Sequence, residues 1–197
     1  MRGVMAVVLG ALVAAGCSVV VRGSPGVLVL PPGRVLVIAR SGPEGRVVAD
    51  AAARRLLEAL RDAFDVVGAV EALRGAPSLH PVLRQLQAGE WPRAEEAAQL
   101  AAVGLVGVLT VEVTAYDQAW TGDGKATRAG VIAEAFMLPA GPGGWRVYRE
   151  ARVDDRRGHA FQSALDEAVS SLAAAIVPFN AVPVVDVRPR AEAPPCC

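Results

Sequence analysis

The sequence predicts an α/β (α+β) domain: a mixed β-sheet with helices packed on it, ending in an antiparallel meander and a closing helix. Three observations predict it. Val35-Leu36-Val37-Ile38-Ala39 is a continuous apolar run, as expected of a strand covered on both faces. Residues 46–64 repeat apolar side chains at three- and four-residue spacing, the period of an amphipathic helix. Residues 106–116 alternate strictly between apolar and polar, the period of a strand with one buried and one wet face.

Each element follows in order. Ser41-Gly42-Pro43-Glu44-Gly45 breaks the first strand. The helix after it carries Val48, Ala52, Leu56, Ala59, Leu60, Ala63 and Phe64 as its buried stripe, with Arg54, Arg55, Glu58, Arg61 and Asp62 between them. Residues 65–70 read as a short strand, so these three pieces make a βαβ or βα-hairpin start. A second, shorter helix over 78–88 places Leu79, Val82, Leu83 and Leu86 on one face. Trp91-Pro92 opens a third, because proline suits a first helical turn; Ala94, Ala97, Ala98 and Ala101 give it a small-residue face, and Gly104 ends it.

In the strand over 106–116, Leu109, Val111, Val113 and Ala115 point one way, and Thr110, Glu112, Thr114 and Tyr116 the other. Thr121-Gly122-Asp123-Gly124-Lys125 is turn chemistry and leads into a strand over 129–138. Gly141-Pro142-Gly143-Gly144 turns the chain again into a strand over 145–153, completing a three-stranded meander. A last helix over 159–176 aligns Phe161, Leu165, Val169, Leu172 and Ile176, and Pro178 stops it. The expected order is β-α-β-α-α-β-β-β-α, with no internal repeat at a fixed period.

The totals bound the function. A chain of 197 residues fits one domain plus appendages. Ala, Val and Leu carry the 53% hydrophobic content and the positive mean hydropathy, while aromatics are only 5%. Twenty basic and twenty acidic side chains are mixed along the chain, so no basic stripe recommends nucleic acid and no field funnels an acidic substrate. The three cysteines, Cys17, Cys196 and Cys197, lie outside the expected domain; neither a disulfide scaffold nor a paired-CxxC zinc module is indicated.

Met1-Arg2 supplies a positive charge, residues 4–15 are apolar, and Ala14-Ala15-Gly16-Cys17 follows. Charge, short apolar segment and small residues are what a secretory signal needs. Small residues ending on a cysteine resemble the lipobox of bacterial lipoproteins, with Ala14 in place of the preferred leucine. The resemblance implies a signal peptide over 1–16 and lipidation of Cys17, through which the protein meets the membrane. The rival reading is an uncleaved anchor, because residues 4–21 hold no charge; that stretch only just reaches spanning length and is rich in Gly and Ala. Ser18 after the cysteine points to the outer membrane, facing the periplasm, under the enterobacterial sorting rule. Ser24-Pro25-Gly26 and Pro31-Pro32-Gly33 make 17–34 a lipidated tether, 35–178 the periplasmic α/β domain, and 179–197, with Pro183, Pro189, Pro194 and Pro195, a flexible tail.

Several passages together resemble a superfamily of bacterial envelope lipoproteins. They are the strand Val35-Leu36-Val37-Ile38-Ala39, the helix ending Phe64-Asp65-Val66-Val67, the passage from Gly104 to Tyr116, Trp145-Arg146-Val147-Tyr148-Arg149 and the closing helix ending at a proline. The superfamily includes the curli-secretion lipoprotein, peptidoglycan-synthase activator lipoproteins and the amino-terminal domain of TolB. The resemblance covers residues 35–178 and departs in two places. Leu105-Val106-Gly107 stands where the family carries an aspartate, and the turn over 121–126 is too short for the membrane-crossing hairpin of the curli channel, so pore formation is not carried over. The superfamily has no shared catalytic residues to transfer.

Chemistry-bearing motifs are sparse. His80 and His159 have no second ligand at helical spacing, and no GxSxG, P-loop or GxGxxG occurs; Gly141 to Gly144 joins two strands. Asp117 and Asp123 flank Trp120 without the alternating series of an EF-hand loop, and Asp154-Asp155-Arg156-Arg157 is self-neutralising. No catalytic residue, metal site or cofactor is expected. Tyr116 and Trp120, near the end of a strand and beside a Gly-rich turn, form a candidate partner-binding pair, the alternative being that Trp120 covers the sheet edge; Trp145 is assigned to the sheet core. Cys196-Cys197 admits a neighbour disulfide, an intermolecular bridge or no role. The expected function is non-catalytic: binding another envelope protein, or self-associating, in assembly of a surface or transport system. The alternative is a lipid or small metabolite held in a large apolar cavity between sheet and helices.

Overall fold

The computed structural model describes residues 18–23, 26–121, 124–138, 141–155 and 160–178. The expected signal peptide, Cys17 and the proline-rich tail with Cys196 and Cys197 lie outside the described residues. The chain runs β1 (Ser18–Gly23), β2 (Leu28–Leu30), β3 (Arg34–Ala39), α1 (Arg46–Leu60), β4 (Val66–Gly68) and α2 (Ala69–Gly75). A 3-10 turn (Pro77–Leu79) leads into α3 (His80–Ala88), α4 (Ala94–Ala102), β5 (Leu105–Thr121), β6 (Gly124–Met137), β7 (Gly141–Asp155), α5 (Ala160–Ala174) and β8 (Ile176–Pro178).

The architecture is α+β with a mixed sheet. Six strands lie in the order β1-β7-β6-β5-β3-β4, and β2 pairs with β8 in a small parallel sheet. β3 runs parallel to both β4 and β5, while β5, β6, β7 and β1 pair antiparallel. Helices cover both faces at the β3 end, which is why β3 is apolar at successive positions. Val35 and Val37 join Leu56 of α1, Leu109 and Val111 of β5, and Leu165 and Leu172 of α5 on one face. Leu36 and Ile38 join Leu83, Leu86, Leu100 and Phe136 on the other. The stripe on α1 is buried as its spacing requires, at Ala49, Ala52, Ala53, Leu56 and Leu60.

From β3 to α5 the predicted elements are present in their order, with one unpredicted helix, α2, added between β4 and α3. Two strands, β1 and β2, fall in the stretch read as a tether; β1 finds its partner in β7, far along the chain, which local punctuation by Ser24-Pro25-Gly26 does not reveal. The expected strand over 65–70 ends at Gly68, and Ala69 already begins α2. The third helix starts at Ala94 rather than at Pro92: Arg93 caps it, its backbone N–H donating to the Glu96 carboxylate at 2.8 Å. The closing helix ends at Ala174, and Ile176 and Pro178 belong to β8, where Ile176 is buried beside Leu28 in the same core.

Candidate functional site

β5, β6 and β7 continue well past the end of β3, and β1 joins them to make a four-stranded antiparallel arm. Its far end brings together the parts singled out in the sequence. Ser18, the residue after Cys17, lies opposite Asp154, and Lys125 lies opposite Asp155. Trp120 lies opposite Lys125 at the end of β5. The surroundings of the Trp120 and Trp145 side chains lie outside the described residues.

Tyr116 is not where simple alternation puts it. The pairing of β5 with β6 shifts between Val113 and Ala115, so that Val113 faces Val131 but Ala115 faces Gly130 and Tyr116 faces Ala129. One inserted residue moves every later side chain to the other face. Tyr116 therefore turns to the helix-covered side and packs, half-buried, against the core built on α1 and α5. Arg55 of α1 and Asp166 of α5 form an ion pair there, at 2.6 Å. Burial pushes the Tyr116 hydroxyl above its ordinary value; the Arg55 charge opposes this and the Asp166 charge adds to it. Tyr116 thus supports the arm from beneath, while the side chain of Trp120, its expected partner in a contact pair, lies outside the described residues.

On the opposite face the helices stop covering the sheet at a polar clasp that the sequence reading missed. Arg40, just past β3, donates from Nη1 to Glu134 Oε2 at 3.2 Å and from Nη2 to the Gly89 carbonyl at 2.6 Å. Its Nε lies 4.0 Å from Glu112 Oε2, and its guanidinium sits 5.9 Å from the ring of Trp91, which stacks on Phe136 at 5.2 Å. Gly89 ends α3 at φ +94°, and a Cβ there would come within 2.8 Å of Arg40 Nε. The clasp ties the α3–α4 layer to β5 and β6. Arg40→Ala is expected to cost about 1–2 kcal/mol, since charge-assisted bonds in a partly dry site exceed neutral ones. Chemical denaturation checks this, and an unchanged midpoint would show the clasp to be idle. Glu112 and Glu134, carboxylates within β5 and β6, were the available signal.

Further along the open face, Ile132 lies opposite Tyr148, and Arg128 pairs with Asp117. The Tyr148 hydroxyl donates to Glu150 and covers Gly130, where a Cβ would come within 3.1 Å of it. Burial first, then the neighbouring Glu150 carboxylate, push the Tyr148 hydroxyl from 10.0 up to about 12. The folded state thus favours the neutral phenol. The stability it contributes is complete below pH 10 and is lost as pH rises through about 12. Tyr116 and Tyr148 are the chain's only two tyrosines, so an alkaline absorbance titration should show no folded-state midpoint at the ordinary value, with both reverting in denaturant. A native tyrosine ionising with the ordinary midpoint would contradict this.

Among the described residues, two of the grooves lie outside the sheet–helix interior. One, about 270 Å³, is lined by Leu30, Pro31, Gly33, Phe64, Asp65 and Pro178. The other, about 510 Å³, is an open trough between α3 and α4 beside Leu79, Val82, Gln99 and Val103. Where sheet and helices meet, Leu56, Leu109 and Leu172 are 0% exposed. Among the described residues no group of three or more His, Cys, Asp or Glu side chains could hold a metal ion, and no helix is long and apolar enough to cross a membrane.

The fold and its arm define a class: a mixed-sheet α+β domain whose parallel end is sheathed by helices and whose antiparallel end projects beyond them. No family model and no curated protein matches the chain. Solved structures share the fold. A variant of PelC from Paraburkholderia phytofirmans, a dodecamer, is 15% identical, with 81% of this chain and 98% of that one covered and a TM-score of 0.53. A second PelC dodecamer from the same organism is 17% identical over the same shares, with a TM-score of 0.51. Lipoprotein GNA1162 from Neisseria meningitidis is 16% identical over 73% of this chain and 99% of that one, with a TM-score of 0.49.

Proposed function

We propose that this chain is a lipoprotein of the bacterial envelope, of the superfamily its sequence resembles, lipidated at Cys17 and held at the outer membrane facing the periplasm. It acts without catalysis, by self-association or by binding another envelope protein during assembly of a surface or transport system. The observation that carries the self-association is the likeness to the PelC dodecamers, which extends over 98% of their chains. The sheet also ends in β1 and β4, each paired on one side only among the described residues, and open edges are templates for pairing between copies. Trp120 is the contact residue retained from the sequence, with Tyr116 as its support.

The position of β1 favours lipidation over an uncleaved anchor. Residues 18–21, the last part of the uncharged stretch, are used in the sheet. What is left, residues 4–17, would span about 21 Å as a helix, short of the roughly 30 Å of bilayer hydrocarbon. The pocket alternative is less favoured, because the grooves lie at the surface and the sheet–helix interior is filled by leucines.

Sedimentation of the detergent-solubilised protein tests the reading. A particle several times the 20.4 kDa chain mass is expected. A strict monomer that also cross-links to no envelope protein would dismiss it.

A further inference from the structure

We infer that the open face of the arm, on the side away from α1 and α5, is a docking surface for the anionic phosphates of a phospholipid bilayer, which it holds through Arg22, Arg128 and Arg152. This rests on the reading of the chain as a membrane-anchored lipoprotein. Strand alternation sorts the side chains of the arm. Val147 and Ala151 of β7, with Ala129, Val131 and Ala133 of β6, enter the core that α1 and α5 cover. The residues between them therefore point the other way: Tyr148, Glu150 and Arg152 on β7, and Arg128, Gly130 and Ile132 on β6. Pairing places Arg152 directly opposite Arg128, and Arg22 of β1 opposite Glu150, one step diagonal from Arg152. Opposite positions hold their Cβ atoms about 4.5–5.5 Å apart and diagonal ones about 7–8 Å. Three arginines from three strands thus share one patch. The sequence shows no basic run because only the sheet assembles them.

Like charges directly opposite one another across two strands destabilise a sheet. Here Arg128 faces Arg152 on a side that no helix covers, and an anion lying between two guanidinium forks turns that repulsion into paired hydrogen bonds. The charges on this face are also layered. The Glu112 and Glu134 side chains, 23% and 22% exposed, are taken up by Arg40, and the half-buried Glu150 accepts from Tyr148. Above them, among the described side chains, stand the exposed Arg22, Arg128, Arg146 and Arg152 with one exposed carboxylate, Asp117. Arg128 donates to Asp117 from Nε at 3.0 Å, which fixes the Arg128 fork over the patch. Between the arginines the floor is low, because Tyr148 lies across Gly130, where a Cβ would meet Thr114 Oγ1 at 2.9 Å and Tyr148 Oη at 3.1 Å. A shallow array of cations several strands wide fits a plane of headgroup phosphates. Each arginine near such a surface strengthens attachment about fivefold.

The test uses the full chain with Cys196→Ser and Cys197→Ser, produced in a bacterium that acylates lipoproteins. It is reconstituted into phosphatidylcholine vesicles carrying a headgroup-attached quencher, with or without phosphatidylglycerol. A single reporter cysteine bearing an environment-sensitive fluorophore is placed on the open face, Thr114→Cys, or on α1, as Val47→Cys at a position 83% exposed. Ile132→Cys replaces Thr114→Cys if that variant misfolds, and mass spectrometry of residue 17 is run on the same samples. At low salt, phosphatidylglycerol should raise quenching on the open face at least about threefold and leave Val47→Cys unchanged. Salt at about 1 M, where the screening length falls to about 3 Å, should remove the rise. Arg128→Gln with Arg152→Gln should abolish it at an unchanged circular dichroism spectrum, and Arg22→Gln alone should reduce it, at about fivefold in attachment per arginine. Quenching indifferent to phosphatidylglycerol, or a rise that survives in the double variant, on an acylated chain overturns the docking surface and leaves the lipoprotein reading intact. A rise cancelled by inorganic phosphate but not by chloride of equal ionic strength assigns the patch to free phosphate and overturns the bilayer as its occupant. A chain without acyl mass at residue 17 overturns the lipoprotein reading and the docking surface with it.

Discussion

Leu56→Ala is expected to lower stability by about 2–5 kcal/mol and the melting temperature by roughly 5–15 °C. Leu56 is 0% exposed on α1 and belongs to the cluster that holds Val37, Leu109, Val111 and Leu172. The surroundings come from α1, α5 and the sheet at once, so no single element can shift to fill the vacated volume, and the cavity adds to the lost transfer energy. Against a total stability of about 5–15 kcal/mol, this removes a large fraction. Val47→Ala is the matched control: Val47 is also on α1 but 83% exposed, and its truncation should stay within about 0.5 kcal/mol. Thermal melts of both variants decide the matter. A Leu56→Ala protein melting with wild type would mean that α1 does not seal this core.

Leu56 was legible because its position follows from helical period alone. The same holds for β3, where five successive apolar residues require cover on both faces, and for the meander, where glycine-rich turns separate alternating runs. These are local signals. β1 and β8 were not legible, because their partners are distant and nothing in Ser18–Gly23 names β7. The short apolar run after Asp65 is ambiguous by its length, and the chain divides it between β4 and α2. The most instructive difference is at Thr114. No glycine or proline within β5 marks the shift in register, and Gly130 stands opposite it only once β6 is paired, so alternation carried through it assigns Tyr116 to the wet face when it lies beneath α1 and α5. One unmarked insertion thus separates a correct strand from a misplaced contact residue. Arg40 is a different case: its partners come from β5, β6 and the end of α3, and only the fold assembles them.

Cys17→Ala is expected to move the protein from a firmly attached to a released state without altering its fold. Each acyl chain contributes about 0.8 kcal/mol per buried methylene, so a single chain holds marginally and several hold stably. Removing the thiol removes all of them together. The uncharged residues still available, 4–17, are too short to span in their place once Ser18 and its neighbours are taken into β1. Alkaline carbonate should therefore extract the variant from envelopes and leave wild type in the pellet, with the acyl mass absent from the variant. Melting should agree within about a degree, because the substitution precedes the first paired residue and removes no described contact. The two readings of the amino terminus separate here. An uncleaved helical anchor gives the same carbonate resistance with alanine as with cysteine, whereas an acyl anchor gives all or nothing at this one sulfur.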